Sequence, residues 1–216
     1  TDSKFNENVS DGDTIDIDGK LDSGNFDLTV NKPVNIISSK NNSYIALNST
    51  TAPVNDSNGN FRIITEGAGS NITGLYFYNT HISIENTSNI HIDNINFINE
   101  NQNIGFNVGA ISVRDGSENI SITNSYFKTE HNGGHSNVVF AVAYNCLFEN
   151  NTVEGYGNNI GNLFYLTTYN VDSIITPHTN INITVRNNKI KSINTPENLA
   201  ICIGMALEGS GHIIEN

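Results

Sequence analysis

Positive charge is scarce in this chain. Ten Lys and Arg stand against 22 Asp and Glu, for a formal charge of -12 over 216 residues. Nucleic acids and anionic membranes are held through clustered cations, so neither is expected as a partner; neutral or cationic partners remain. Long apolar runs are also missing. None approaches the ~18 residues that a membrane-spanning helix needs, so no membrane insertion is expected. Cysteine is limited to Cys146 and Cys202, and two cysteines carry no signal about redox compartment. They fall on different strands one or two turns apart, and the narrow geometric window of a disulfide makes a bridge between them the minor expectation.

Asparagine, by contrast, is abundant, at 39 residues, and its placement is not random. Asn89 to Phe97 reads Asn-Ile-His-Ile-Asp-Asn-Ile-Asn-Phe: apolar residues alternate with polar ones, an Asn follows, then a second apolar stroke. The pattern returns at Asn119 to Phe127, Asn145 to Val153 and Asn182 to Ile190, and in degenerate form at Gly69 to Phe77. Repeats of this kind decide the fold class before any other feature. Within each copy the period is two, so Ile90 and Ile92 point one way while His91 and Asp93 point the other.

The corner residues of the copies are Gly74, Asn94, Asn124, Asn150 and Asn187, separated by 20, 30, 26 and 37 residues. Constant segments at irregular spacing imply constant strands joined by variable loops. Gly and Asn interchange at the corner because these residues enter a left-handed backbone cheaply. One copy cannot bury its own apolar residues, but stacking each on the next makes a continuous core. The expected fold is therefore all-β, a right-handed parallel β-helix of about eight coils of ~26 residues, roughly 40 Å long, with strands ~4.8 Å apart. Inward Asn at the corner is expected to stack as an amide ladder. Cys146 takes the inward slot that Ile90 and Ile120 fill in other copies, and reads as a small buried hydrophobe.

A single domain spans residues 1–216, with a cap and early coils over 1–60 and regular coils over 61–216. The segment Gly211-His-Ile-Ile-Glu-Asn opens a further copy. A bare terminal turn would expose an unpaired edge, so the chain is expected to belong to a longer surface protein, or to have its end covered by a partner.

Candidate sites follow from the same layout. Asp11, Asp13, Asp16 and Asp18 suggest a calcium loop, but Thr14 interrupts the ligand spacing and no Glu follows at the required distance, so turn chemistry explains them. Glu130-His-Asn-Gly-Gly-His135 offers two His and a carboxylate for a transition metal, yet a solvated loop is the simpler account, and no metal or cofactor is expected. Arg114 and Asp115 point oppositely on one strand and read as a turn entry. The outward columns His91, Ser121, Leu147, Thr184 and Asp93, Thr123, Glu149, Arg186 place no two carboxylates on neighbouring turns, as paired-carboxylate hydrolysis requires. Tyr156, Tyr165 and Tyr169 lie in or beside the longest excursions and are the candidate binding residues, since rings with polar tips suit wet contacts with sugars or proteins. Tyr76, Tyr78 and Tyr126 adjoin inward aromatics and read as corner shields. Of nine Asn-x-Ser/Thr sequons, Asn8, Asn41, Asn48, Asn55 and Asn86 are the candidates for surface glycosylation.

The run Ser-Asp-Gly-Asp-Thr-Ile-Asp-Ile, the segment Lys-Pro-Val-Asn-Ile-Ile and the five repeat copies resemble the β-helix of adhesin-like surface proteins of methanogenic archaea. The resemblance extends over essentially the whole chain. It implies an exported, wall-associated protein whose pectate-lyase-like β-helix touches glycans or surface proteins of other cells. A noncatalytic adhesin or spacer is therefore the expected function. A polysaccharide lyase or glycoside hydrolase on the same scaffold is the rival, although polygalacturonase-type Asn-Thr-Asp, Asp-Asp, Gly-His-Gly and Arg-Ile-Lys motifs are absent. A structural stalk or filament subunit, stacking neighbouring copies end to end, is a third expectation.

Overall fold

The computed structural model describes residues 7–22, 27–40, 43–47, 60–99, 110–130, 137–156, 162–167, 179–193, 201–205 and 209–216, with Asp22, Asn60, Asn162 and 201–205 described by their backbone alone. Among the described residues the named elements are β-strands and one 3-10 turn, Thr65–Gly67. Short alternating segments rich in Ile, Val, Thr and Phe suit a pleated surface with one buried face, and they form the strands.

Three sheets result, and every strand pairing among the described residues is parallel. The first sheet holds eight strands, from Thr14–Asp16 to Ile213–Glu215, with His91–Asp93, Ser121–Thr123, Leu147–Glu149 and Thr184–Arg186 among them. The second holds seven, from Lys20–Asp22 to Lys189–Ile193. The third includes His81–Glu85, Ile111–Glu118, Val138–Tyr144 and Asn162–Thr167. The chain visits first, second and third sheet in fixed rotation, apart from two short strands, Asn180–Ile181 and Gly209–Ser210, appended to the third. Parallel neighbours cannot be joined by a hairpin, and here two other strands supply each crossover.

The core runs through all three sheets. Ile92, Ile122, Phe148 and Val185 are successive cross-strand partners, none more than 2% exposed. Behind them the rings of Phe127, Phe140 and Phe164 surround Phe148, with centroids 6.0, 6.5 and 5.1 Å away. Cys146 is buried in the file of Ile90, Ile120 and Ile183, and burial pushes its thiol up to about 12. It is free of any disulfide; the Cys202 side chain lies outside the described residues. The third sheet is buried on its outer face too: Ser83, Ser112, Val139 and Ala141 alternate with core residues yet are also buried.

Left-handed backbone marks the corners. Gly74, Asn94, Asn124, Asn150 and Asn187 have φ between 50 and 69°, and each backbone N–H still bonds to the next strand, as in Asn94 N–H to the Thr123 carbonyl at 3.1 Å. A second such column, Gly69, Asn89, Asn119, Asn145, Asn182 and Gly211, opens six of the eight first-sheet strands. The amide ladder lies elsewhere than expected. The corner residues Asn94, Asn124, Asn150 and Asn187 are exposed, because a left-handed residue swings its side chain out of the bend. The buried ladder is formed by the residue that follows: Asn151 Oδ1 accepts from Ser125 N–H at 2.9 Å, and Asn188 Oδ1 from Asn151 N–H at 2.8 Å. Each amide also donates inward, Asn151 to the Ile122 carbonyl and Asn188 to that of Phe148. These bonds satisfy backbone groups that the bend would otherwise leave unpaired.

One corner breaks the pattern. Asn86, just after strand His81–Glu85, and Asp115, within strand Ile111–Glu118, are left-handed, and the next strand, Val138–Tyr144, has Val142 at φ 61°. Opposite Val142 the register shifts between Arg114 and Ser117, leaving Asp115 and Gly116 both at positive φ. This bulge also corrects the expectation for Arg114 and Asp115. They do not diverge: Arg114 Nε lies 3.2 Å from Asp115 Oδ2.

Candidate functional site

Alternation in the second sheet buries Phe77, Phe97, Phe127 and Val153 and turns their neighbours outward. Register then aligns those neighbours across turns. Tyr44 pairs with Tyr76, Tyr76 with Asn96, and Asn96 with Tyr126 in one column. Tyr78, Ile98, Lys128, Glu154 and Lys191 form the column beside it, and Glu130, Tyr156 and Ile193 a third. Five of the eight tyrosines of the chain, Tyr44, Tyr76, Tyr78, Tyr126 and Tyr156, thus share one face. All five rings are half-buried, each leaning on its strand neighbours.

Glu154 organises the upper part of this face. Its Oε2 accepts the hydroxyls of both Tyr126 and Tyr156 at 2.9 Å, and its Oε1 accepts Lys191 Nζ at 2.8 Å. Lys128 Nζ lies over the Tyr156 ring, 5.0 Å from its centroid, and Lys20 Nζ over Tyr44 at 5.3 Å. The Lys191 bond foremost, then those from the tyrosines, hold the Glu154 carboxyl below the usual range against its partial burial. Burial and the bond to Glu154 push the Tyr126 phenol up to about 12. A proton-transfer pair needs values near the working pH; these two are driven apart, which suits a group that holds rings in place.

The other sequence-derived candidates fall in different places. Tyr156 ends strand Thr152–Tyr156 instead of lying in a loop, and Glu130 ends strand Tyr126–Glu130. Tyr165 is half-buried on the third sheet, paired with Val139, so it does not join Tyr156. Tyr169 lies outside the described residues, as do His131 to His135 and the sequons at Asn41, Asn48 and Asn55. Asn8 and Asn86 are exposed, but Asn86 is left-handed and its amide bonds to Thr65 Oγ1 at 3.2 Å. Among the described residues no group of three or more His, Cys, Asp or Glu is placed to hold a metal ion, and no helix is long and apolar enough to cross a membrane. The acidic opening makes turn contacts: Asp13 Oδ2 accepts Ser10 N–H at 2.7 Å, and Asp16 accepts both Ser39 N–H and its hydroxyl.

Of three polar groupings outside the tyrosine face, those of Glu85 and His81 were not foreseen from sequence, whereas His91 and Ser121 are neighbours in the outward column read from the repeat. Glu85 joins three strands of the third sheet, with Arg62 Nη2 at 2.6 Å and Arg114 Nη2 at 3.4 Å. Burial raises its proton affinity, but bonds from Arg62 and Ser83 and the charge of Arg114 outweigh that and leave its carboxyl below the ordinary value. His81 Nε2 is 3.1 Å from Ser112 Oγ, and His91 Nδ1 is 2.6 Å from Ser121 Oγ. A Ser-His pair needs a reachable hydroxyl, and Ser112 is buried. The His91 pair is exposed, but Asp93 on the same face accepts from Thr123 and Asn124. All three groupings link residues about a turn apart; the repeat announces the His91 pair, and no local motif announces the other two. The tyrosine column was readable: Tyr76 and Tyr126 occupy the same slot of the repeat, immediately before Phe77 and Phe127.

No protein-family model matches the chain, and neither a curated protein nor a solved structure matches it.

Proposed function

We propose that the chain is a right-handed parallel β-helix of about eight coils, acting without catalysis as an adhesive or spacer module at a cell surface, and that it holds glycan on the tyrosine face of its second sheet. The coil reading is supported by the rotation through three parallel sheets and by the eight strands of the first; right-handedness follows from the preference of parallel crossovers. The sequence resemblance to adhesin-like surface proteins of methanogenic archaea supports the location. One observation carries the binding role: five of eight tyrosines gather on one sheet face, with two of their hydroxyls tied to a single carboxylate. Flat rings with polar edges stack on the apolar faces of sugars while their hydroxyls stay wet, and a rigid sheet holds them without an ordering cost on binding.

Binding to an immobilised glycan panel tests this. Tyr76→Ala, Tyr126→Ala and Tyr156→Ala are each expected to weaken the strongest signal about tenfold, the loss of one stacked aromatic contact, while Tyr165→Ala leaves it unchanged. New reducing ends released from a polysaccharide panel would overturn the noncatalytic reading in favour of a lyase or hydrolase.

A further inference from the structure

Resting on the glycan reading above, we propose that the tyrosine face takes an acidic glycan, with uronate rings stacked on the tyrosines and their carboxylates met by Lys20, Lys128, Lys189 and Lys191. The argument is one of charge placement. The chain has only ten Lys and Arg in all, and register puts four of them on the outward positions of this one sheet. Lys20 pairs with Tyr44, Lys128 with Ile98 and Glu154, Lys189 with Thr152, and Lys191 with Glu154. Two carboxylates, Glu130 and Glu154, share those outward positions, and Asp22 lies two residues from Lys20 on the same strand, so the positive excess is small, but it stands on a molecule of charge -12.

The acids and bases here are also unequal in what they offer. Both Glu154 oxygens are occupied by Tyr126, Tyr156 and Lys191. Each lysine carries three donors and no acceptor, so Lys191 keeps donor capacity beyond Glu154, and Lys20 and Lys189 are exposed. Lys128 stands over the Tyr156 ring. A sugar ring beside Tyr126 and Tyr156 therefore has ammonium groups on both sides of strand Thr152–Tyr156, Lys128 from the strand before it and Lys189 and Lys191 from the strand after it. A neutral sugar offers these ammonium groups no opposite charge. A uronate would pair with them through charge-assisted hydrogen bonds, whereas among the described residues Lys40, Arg62, Arg114 and Arg186 each already face a carboxylate.

The test uses matched polymers: glucuronate, galacturonate and mannuronate oligosaccharides, each beside the same oligosaccharide with its carboxyls reduced to alcohols, titrated into the whole chain by calorimetry. The carboxylated member of at least one pair is expected to bind about tenfold more tightly, one charge-assisted contact in magnitude. That advantage is expected to shrink in roughly 0.5 M salt and in Lys128→Gln and Lys189→Gln, whose circular dichroism and melting should match the parent. Equal binding within every pair overturns the acidic-ligand proposal and leaves glycan binding standing. Binding to no member overturns both. A carboxylate preference untouched by Lys128→Gln and Lys189→Gln overturns the assignment to this face.

Discussion

Tyr126 and Tyr156 stand on adjacent second-sheet strands, and each donates its hydroxyl, at 2.9 Å, to the same oxygen of Glu154. The carboxylate is thereby a fastener between adjacent strands, and it holds most strongly while ionised. The Lys191 bond, followed by those of the tyrosines, depresses its pKa. A depressed folded-state value contributes stability above the unfolded-state value and forfeits it as pH falls through the folded one. Glu85 shifts in the same direction. Melting temperature is therefore expected to stay level from neutral pH to about 5 and to drop below about 4. Glu154→Gln should lower the plateau and flatten the drop; an unchanged acid slope in that variant would detach the carboxylate from stability.

Phe148 carries more of the core than its neighbours because it touches rings above, below and across the interior. Phe148→Ala removes those contacts and opens a cavity that a stacked architecture cannot close by shifting one side chain. The expected loss is about 3–5 kcal/mol, and about 1.5 kcal/mol or less for Phe148→Leu, measured by urea unfolding.

Asn94 is exposed and left-handed at φ 52°, so its identity is a matter of backbone and not of packing. Asn94→Gly is expected within about 0.5 kcal/mol of the parent, whereas Asn94→Ala should cost roughly 1–2 kcal/mol. Equal losses for the two would place the value of asparagine in its amide.

Val142 presents the opposite case, a β-branched residue at φ 61° where earlier turns have Asn86 and Asp115. Such a conformation costs about 1–3 kcal/mol. Val139, buried on the same strand, is a control without that strain. Val142→Gly is expected to destabilise less than Val139→Gly by about 1 kcal/mol or more. The reverse order in thermal melts would contradict the strain.

Alternation in the repeat identified Ile92, Ile122, Phe148 and Val185 as one file, because a period of two leaves little freedom once a face is buried. The corner asparagines were equally legible from Gly74 standing in their column. What sequence concealed was which way a bend turns its side chains: Asn150 goes out and Asn151 goes in, and adjacent identical residues give no hint of that. The tyrosine face was hidden for a related reason. Tyr76 and Tyr126 were visible beside buried Phe, but their meeting with Tyr156 depends on strands Tyr126–Glu130 and Thr152–Tyr156 running on into residues that resemble polar loop. Glu85, Arg62 and Arg114 meet only through pairing across turns.

The one-to-one pairing of Ile92 with Ile122, thirty positions later, has an evolutionary corollary. Removing residues 94–123, or duplicating them, returns both flanks to the same phase, since Asn124 meets its neighbours as Asn94 does. The number of strands in each sheet is thus adjustable by recombination of whole repeats, and a lineage can lengthen or shorten this protein without inventing a new interior.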